Sequence, residues 1–397
     1  MTFKNNIHPY MKNLFYLLKR EFLLFIKNST LRSVFLLAPI FYGLLLGFTY
    51  QEGKVEHIPV IVLDRDHSPT SSTLVEMLED NKSIKVLKYT KEPTSIKDEV
   101  IKHQAAAVIS IPENFEAEIL QRKYPEIVVN INTANILTAN FATKGIQATL
   151  GTLSAGMEMK ALQRRGMNAE MAKMQYEPFK TNYITLFNST SNYLIFMWPA
   201  MMAVVLQQVI LLAMAVSFAE DFERKTFLKY YRKSNIFLIM LVKSFPIWIL
   251  SIFNVMVFYA MHLYFKIPLP EHIFNFILLT GLFVGASTFL GILFSVLMPN
   301  ALKATQVLMV IASPAFIISG FTWPREAMPL AIQYFTDIIP LTPFLDAFKI
   351  LLIQKGGVEL TTTYLQHLSV LLGIYFILGA LALKIKMTKM KKIQISD

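Results

Sequence analysis

Long apolar runs alternate with short basic segments along most of this chain, and one polar stretch interrupts them. A helix needs about 20 mostly apolar residues to cross a hydrocarbon core about 30 Å thick. Six stretches reach or approach that length: Ser33–Tyr50, Tyr193–Phe218, Ile236–Phe265, Ile273–Met298, Ala304–Trp323 and Leu368–Leu383. They predict six spans. The third carries Lys243 and Pro246 near its start, so its lipid-buried part is expected to begin near Phe245. Ahead of the first span, Leu14, Phe15, Leu18, Phe22, Phe25 and Ile26 recur at helical spacing opposite Lys12, Lys19 and Lys27. That is the pattern of an amphipathic helix lying in the membrane interface. About thirty residues precede the first run and no small-residue cleavage site follows at Gly47–Gly53, which reads as a retained anchor rather than a signal peptide.

The polar stretch, residues 51–190, has a different rhythm. Ile58–Leu63 is a short buried strand ending at Asp64, and Ser71–Leu78 reads as a helix. Ile84–Leu87 follows as a strand and Ile96–His103 as a helix. Ala106–Ile111 is a strand stopped by Pro112, which suits the first turn of a helix Pro112–Gln121. Ile127–Ile131 is a further strand, and Thr138–Arg165 a long helix leading back towards the membrane. Alternation of strands and helices predicts an α/β domain with some parallel pairing. The fold class is therefore a polytopic α-helical membrane protein with an inserted α/β domain.

Charge adds the orientation. Of 397 residues 16% are charged and 54% hydrophobic, with mean hydropathy +0.45, against about 25% charged in soluble proteins. Residues 51–190 hold 16 Lys and Arg against 17 Asp and Glu, net −1, which leaves 22 against 10, net +12, for the remainder. The excess therefore lies in short segments beside apolar runs, not on one folded surface, which excludes a nucleic-acid groove. Lys4, Lys12, Lys19, Arg20, Lys27 and Arg32 precede the first span. Arg224, Lys225, Lys229, Arg232 and Lys233 lie between the second and third, and Lys303 between the fourth and fifth. Lys384, Lys386, Lys389, Lys391 and Lys392 follow the sixth, whereas Lys266 alone separates the third and fourth. The positive-inside rule then predicts a multi-pass protein of the cell (inner) membrane with both termini cytoplasmic and residues 51–190 extracytoplasmic.

Candidate chemistry is sparse. The chain lacks cysteine, which removes disulfides, thiolate metal sites and cysteine nucleophiles. Its seven histidines do not cluster at metal-ligand spacing, and His262 and His272 are expected at the membrane interface. Asp64 and Asp66 after a strand could form a carboxylate pair, but Asp-Arg-Asp-His-Ser there reads more simply as a turn and helix start. Asn188-Ser-Thr is a formal glycosylation sequon. No phosphate-binding loop of the Gly-x-x-x-x-Gly-Lys-Ser/Thr kind occurs, so no catalytic residues, cofactor or metal are assigned to this chain. Ion-coupled transporters carry ionisable groups inside their spans. Here the span middles offer Gln207, Gln208, Asn254, Thr305 and Gln306, which serve helix–helix hydrogen bonding or, in the sharper reading, line a pathway. Energy must enter from outside the chain. The segment Glu220–Ser234 interleaves Phe222, Phe227, Leu228, Tyr230 and Tyr231 with charges, as a short helix offering anchors to a partner would, although an ordinary basic loop gives the same signal.

Four regions carry a resemblance that covers nearly the whole length. They are KREFLLFIKNSTLRSVFLLAPI at the first span, the outer strands with IPVIVLDRDHSPTSSTLVEML, AAVISIPENFEAEIL and IVVNINTAN, the segment FERKTFLKYYRKSNIFLIMLVKSFP, and SGFTWPREAMPLAIQYFTDIIPLTPFLDAFKILL. In these the chain resembles the type-2 ABC exporter permeases with a large extracytoplasmic domain. The resemblance implies ATP hydrolysis on separate ABC ATPase subunits and a second permease, either a copy or a paralogue. It implies a coupling helix within 219–235, carried by Phe222, Glu223, Arg224, Lys225, Thr226 and Phe227. It also implies an outer re-entrant segment within 320–350 whose helices are broken by Pro340 and Pro343 to form an external gate. The family often has Glu-x-Gly-Thr in the coupling helix, and Glu223-Arg224-Lys225-Thr226 departs from it at the glycine. The expected function is an exporter permease for an amphipathic, drug-like, lipid or glycan substrate, with a periplasmic or surface partner for the outer domain. A non-transporting membrane receptor or assembly factor is the alternative.

Overall fold

The computed structural model describes residues 7–89, 95–176, 184–232 and 234–396, so Lys4 and Lys233 lie outside the described residues. The chain opens with α1 (Ile7–Lys27) and α2 (Ser29–Thr49). An α/β segment follows, with β1 (Ile58–Asp64), α3 (Pro69–Glu79), β2 (Ile84–Tyr89), α4 (Ile96–His103) and β3 (Ala107–Ile111). It continues through α5 (Phe115–Gln121), β4 (Val128–Ile131), α6 (Ile136–Arg164) and α7 (Ala169–Tyr176). Helices then dominate: α8 (Tyr193–Glu223), α9 (Phe227–Tyr231), α10 (Ile236–Tyr264), α11 (Ile273–Leu297) and α12 (Ala301–Ile318). The last are α13 (Leu330–Asp337), α14 (Leu341–Phe348) and α15 (Thr362–Ser396). The chain divides into two compact units, residues 1–53 with 185–397, and residues 54–184.

In the helical unit, six helices among the described residues are long and apolar enough to cross a bilayer. They are α2, α8, α10, α11, α12 and the helical stretch Val358–Lys392, and the chain is a polytopic helical membrane protein. α8 sits at the centre, packed by α2, α11 and α12, and α15 lies along α11. Close approach needs small residues where lipid supplies no hydrophobic drive between helices. A Cβ on Gly43 would lie 2.4 Å from Met261 Sδ, and one on Gly47 would lie 2.1 Å from the Phe265 ring. Trp198 Nε1 uses the same gap to donate to the Gly43 carbonyl at 2.7 Å. His262 is buried edge-on against Trp198, ring centroids 5.0 Å apart.

Local features explain one span end and one helix start. α12 stops at Ile318, short of Trp323, because Gly320 adopts φ +92 and turns the chain. A side chain there would also strike Arg325, 2.5 Å from the Cβ position. α10 begins at Ile236, as expected, and runs through Lys243 and Pro246 without a break, with the Lys243 side chain buried inside the helical unit. Because the chain reverses at each span, α1, the α8–α10 connection and the C-terminal end of α15 share one end of the bundle. The junction between α2 and α8 and the α12–α14 segment share the other.

The second unit is a four-stranded sheet in the order β2-β1-β3-β4. β1 pairs in parallel with β2 and β3, and β4 closes the edge antiparallel to β3. Val60, Val62 and Ile109 face a core with Leu74, Leu78, Phe115 and Ile146. Ile61, Leu63 and Val108 fill the opposite face. The helix expected from Pro112 starts three residues later, because Asn114 takes a left-handed φ of +59 and turns the chain before the first helical residue.

Candidate functional site

The parallel strands of the second unit end where ligands often bind in α/β sheets, at the switch between β1 and β3. Here the chain seals that crevice itself. Asp64 Oδ1 accepts from the amides of Asp66 and His67, and its Oδ2 accepts from Ser71 Oγ at 2.8 Å. Asp66 Oδ2 accepts from the Glu116 amide at 3.0 Å, and Thr70 Oγ1 donates to Glu116. These carboxylates hold turns together, as the helix-start reading expected. Among the described residues no group of three or more His, Cys, Asp or Glu could hold a metal ion.

The chemistry that the fold does concentrate lies at the end of the bundle shared by α1 and the α8–α10 connection. α1 turns Leu17, Glu21 and Phe25 inward and leaves Phe15, Tyr16, Leu23, Leu24 and Ile26 exposed. The buried face is thus centred on Glu21, one position off the apolar stripe read from Leu14, Leu18 and Phe22. Opposite it stands Lys243 of α10, whose three ammonium protons are all used. Its Nζ donates to Asp221 Oδ2 at 2.5 Å, to Glu21 Oε2 at 3.1 Å and to the Ser217 carbonyl at 2.8 Å. Arg20 grips Asp221 with both nitrogens, at 2.7 and 3.3 Å, and also donates to Glu21. Its guanidinium lies over the Tyr230 ring, 4.0 Å from the centroid. Tyr231 donates its hydroxyl to Glu21 Oε1 at 2.7 Å, and Thr226 donates to Asp221 Oδ1 at 2.6 Å. Lys243 is 2% exposed, Asp221 5% and Glu21 6%.

Two cations and two anions cancel, and all four carboxylate oxygens and the Lys243 ammonium are hydrogen-bonded, which is the condition for burying ions at all. Burial acts to lower the Arg20 pKa, but the hydrogen bond and charge of Asp221, with Glu21, outweigh it and raise it above the usual value. Burial, reinforced by Glu21, pushes the Tyr231 phenol well above the usual range, so it remains a donor. A cavity of about 260 Å³ adjoins the network and is lined by Arg20, Glu21, Asp221, Thr226, Lys243 and Pro246 among others.

This network fixes the loop expected to couple. α8 ends in a Schellman turn, with the Lys225 amide on the Phe222 carbonyl at 3.1 Å and the Thr226 amide on the Asp221 carbonyl at 3.0 Å. Lys225 takes the left-handed position, φ +55, in that turn. Phe227 and Tyr231 of α9 are fully buried, and the Phe222 ring meets Phe227 at a tilt of 57° with centroids 4.8 Å apart. The aromatic rings therefore anchor the loop to its own chain. Glu223, Arg224, Lys225 and Lys229 make its exposed edge.

The remaining candidates are dispersed. Gln207 is buried, its Nε2 without a hydrogen-bond partner among the described residues, while Gln208 is half-buried and Gln306 faces out of the chain. Asn254 gives its amide to the Phe35 carbonyl at 3.1 Å, a helix-to-helix link. The four do not form one surface within a single chain. Pro340 separates α13 from α14, but Pro343 lies in the first turn of α14, where no intrahelical donor is lost, and so breaks nothing. Sequence reasoning missed Glu21, Asp221 and Lys243 as a set. The available signal was three ionisable residues embedded in apolar helical stretches, each unexplained alone.

Comparison with known proteins agrees with this architecture. The family described as ABC-2 family transporter protein matches residues 29–384. ABC transporter G family member 20 of Dictyostelium discoideum is 24% identical over 367 residues, 91% of this chain. This chain spans about half of that relative, 49% of its length. The probable multidrug ABC transporter permease YbhR of Escherichia coli K12 is 19% identical over 357 residues, covering 89% of this chain and 94% of its own. With a family match from the first span to the last, this chain belongs to the ABC-2 family of transporter proteins, as a membrane permease subunit.

Proposed function

We propose that this permease is the membrane half of an ATP-driven exporter, and that nucleotide-driven movement enters through the exposed edge Glu223–Lys225 and Lys229. The observation that carries the reading is the buried network. A push on the α8–α10 connection cannot stay local, because Thr226 and Tyr231 hold Asp221 and Glu21, and these hold Arg20 of α1 and Lys243 of α10. Loop, interfacial helix and two spans must move as one body. In this reading that end of the bundle is cytoplasmic, as its lysines and arginines favour, and the unit Lys54–Ile184 is extracytoplasmic. ATP is bound and hydrolysed on ABC ATPase subunits, and a second permease, a copy or a paralogue, completes the assembly. The segment 320–350 then forms the outer gate. Similarity to a probable multidrug permease of Escherichia coli favours an amphipathic, drug-like cargo over a glycan.

The chain has no cysteine of its own, which makes a direct test available. Arg224→Cys, co-expressed with ATPase subunits carrying single surface cysteines, is expected to form a disulfide with one of them that ATP alters. Ser72→Cys, in the second unit, is expected to form none. Cross-linking of both or of neither would reject the assignment of this loop.

A further inference from the structure

The cavity beside the ionic network is a slot with two unlike ends. α1 packs on α10 and α2, and the long Arg20 side chain reaches across to Asp221 of α8, which leaves the slot open between α1 and α8. One stripe of α8, from Ala213 through Val216, Ser217 and Glu220 to Arg224, forms its wall, about 16 Å long at 1.5 Å per residue. Phe25, Leu31, Ala213, Val216 and Ile247 make the end away from the loop apolar. Arg20, Glu220, Arg224 and Tyr230 make the end at the loop polar. Water suits the polar end but finds no hydrogen-bond partners at the apolar one.

The two ends also differ in what their charges have left to offer. Both oxygens of Glu21 and of Asp221 already accept, and Lys243 has donated all three of its protons. Arg20 spends three of its five N–H donors on Glu21 and Asp221, which leaves two without a partner among the described residues. Arg224 meets Glu220 at 2.6 Å through one nitrogen, and its side chain is 65% exposed. The slot therefore has donors to spare and no acceptors on the buried acids.

We infer that this slot binds an anionic phospholipid of the leaflet at that end of the spans, its phosphate taken by Arg20 and Arg224 and an acyl chain lying along Val216, Leu31 and Ile247. Guanidinium forks match a phosphate in geometry as well as charge. Basic pockets between spans near the membrane surface suit anionic headgroups. A zwitterionic headgroup would bring an ammonium for which Glu21 and Asp221 have no oxygen free, and Glu220 is paired with Arg224. The volume of about 260 Å³ falls below the roughly 300–1,000 Å³ that drug-sized ligands need, so a headgroup and the start of a chain fit where a cargo molecule does not. Leu24, an apolar lining residue 40% exposed, gives the rest of the lipid a way out into the bilayer. A lipid seated there joins Arg224 on the loop edge to Arg20 of α1 through one phosphate, so leaflet composition bears on how firmly the loop is held. This inference does not rest on the exporter reading or on which side of the membrane is which.

The full-length permease, in nanodiscs with equal amounts of phosphatidylcholine and phosphatidylglycerol, is released and weighed by native mass spectrometry. It is expected to keep one phosphatidylglycerol per chain in preference to phosphatidylcholine. Val216→Trp, which fills the slot, and Arg224→Gln, which removes a donor, should each lower the lipid-bound fraction several-fold. Ile377→Trp, on an exposed position of α15, should leave it at the parent level. If Val216→Trp does not fold, Arg224→Gln, changed on an exposed side chain, carries the comparison alone. A second arm follows thermal unfolding of lipid-free protein in detergent with short-chain phosphatidylglycerol, glycerol 3-phosphate or inorganic phosphate, and the lipid alone is expected to protect. Equal protection by glycerol 3-phosphate or phosphate would make this a site for a soluble anion. Retention unchanged in both slot variants would place the lipid elsewhere, retention of both lipids alike would remove the phosphate selectivity, and no retention with no protection would leave the slot to water. Each of these four results overturns the inference.

Discussion

Lys243 Nζ and Asp221 Oδ2 meet at 2.5 Å, joining the first third of α10 to the last turn of α8 inside the bundle. Neither ion could remain there alone. Removing one partner of a buried pair leaves an uncompensated charge and typically costs about 3–5 kcal/mol. Lys243→Met is therefore expected to lower the unfolding temperature in detergent and the yield of folded protein sharply, because Glu21 and Asp221 would share Arg20 alone. Adding Glu21→Gln to Lys243→Met restores a balanced charge and should recover part of the loss. A double-mutant cycle on thermal unfolding measures this, and strictly additive effects would remove Glu21 from the pair.

Lys225 makes the opposite case, a residue whose replacement should help. A non-glycine residue in the left-handed region carries a cost of roughly 1–2 kcal/mol that glycine avoids, offset in part by the larger entropy glycine loses on folding. Lys225→Gly, which restores the glycine often seen at this place in related coupling segments, should leave stability equal or up to about 1 kcal/mol higher. Lys225→Val should destabilise, since a β-branched side chain tolerates φ +55 poorly. Paired thermal unfolding curves decide it, and equal behaviour of the two variants would contradict the turn geometry.

Some of this was legible in the sequence and some was not, for physical reasons. A span declares itself by length and apolarity, so all six could be read; β1 and β3, buried on both faces, declared themselves as unbroken runs in Ile58–Leu63 and Ala106–Ile111. The ionic network could not be read in this way. Its partners are separated by 201 and 222 positions, and each charge by itself resembles a topology signal or a helix-end residue. Periodicity also shows which residues share a face without showing which face turns inward. That is why the centring of the buried face of α1 on Glu21 was not legible in the sequence.

The Tyr231 phenol provides a pH test. Its native pKa is raised by burial and by Glu21 above the ordinary value of 10.0, so the neutral form is favoured on folding. A group raised in this way contributes stability fully below the unfolded pKa and loses it as pH climbs through the folded one. From neutral pH to about 10 the contribution of Tyr231 should be constant, and above that the folded state should weaken. Tyr231→Phe is expected to lower stability at neutral pH, because Glu21 loses a buried donor, and to flatten the alkaline decline relative to the parent. Parallel slopes above pH 10 would show that other groups set it.

Orientation is testable on the same cysteine-free background. Ser72 and Lys229 are both exposed, one in the α/β unit and one on the loop edge. In intact cells an impermeant thiol reagent should label Ser72→Cys and should reach Lys229→Cys only after the membrane is opened. The reverse pattern would invert the topology and with it the side on which the ATPase docks.

Removal of the α/β unit tests whether that unit takes part in export. The unit leaves and rejoins the helical bundle at a clasp: the Tyr193 amide donates to the Gly53 carbonyl at 2.6 Å, and Asn188 and Asn192 exchange hydrogen bonds at 2.8 and 3.0 Å. The two ends of the bundle's own chain are therefore already adjacent, and a short glycine-serine bridge from Gly53 to Thr185 need not strain either α2 or α8. The excised segment has its own sheet and its own core. The shortened permease is expected to insert, to recruit the ATPase and to support basal ATP hydrolysis at a rate close to that of the parent, because the Arg20–Asp221–Lys243 network is untouched. Export of the cargo should be lost. Normal export would show the unit to be dispensable, and failure of the bundle to insert would show that α6 supports the spans in a way its separate core does not suggest.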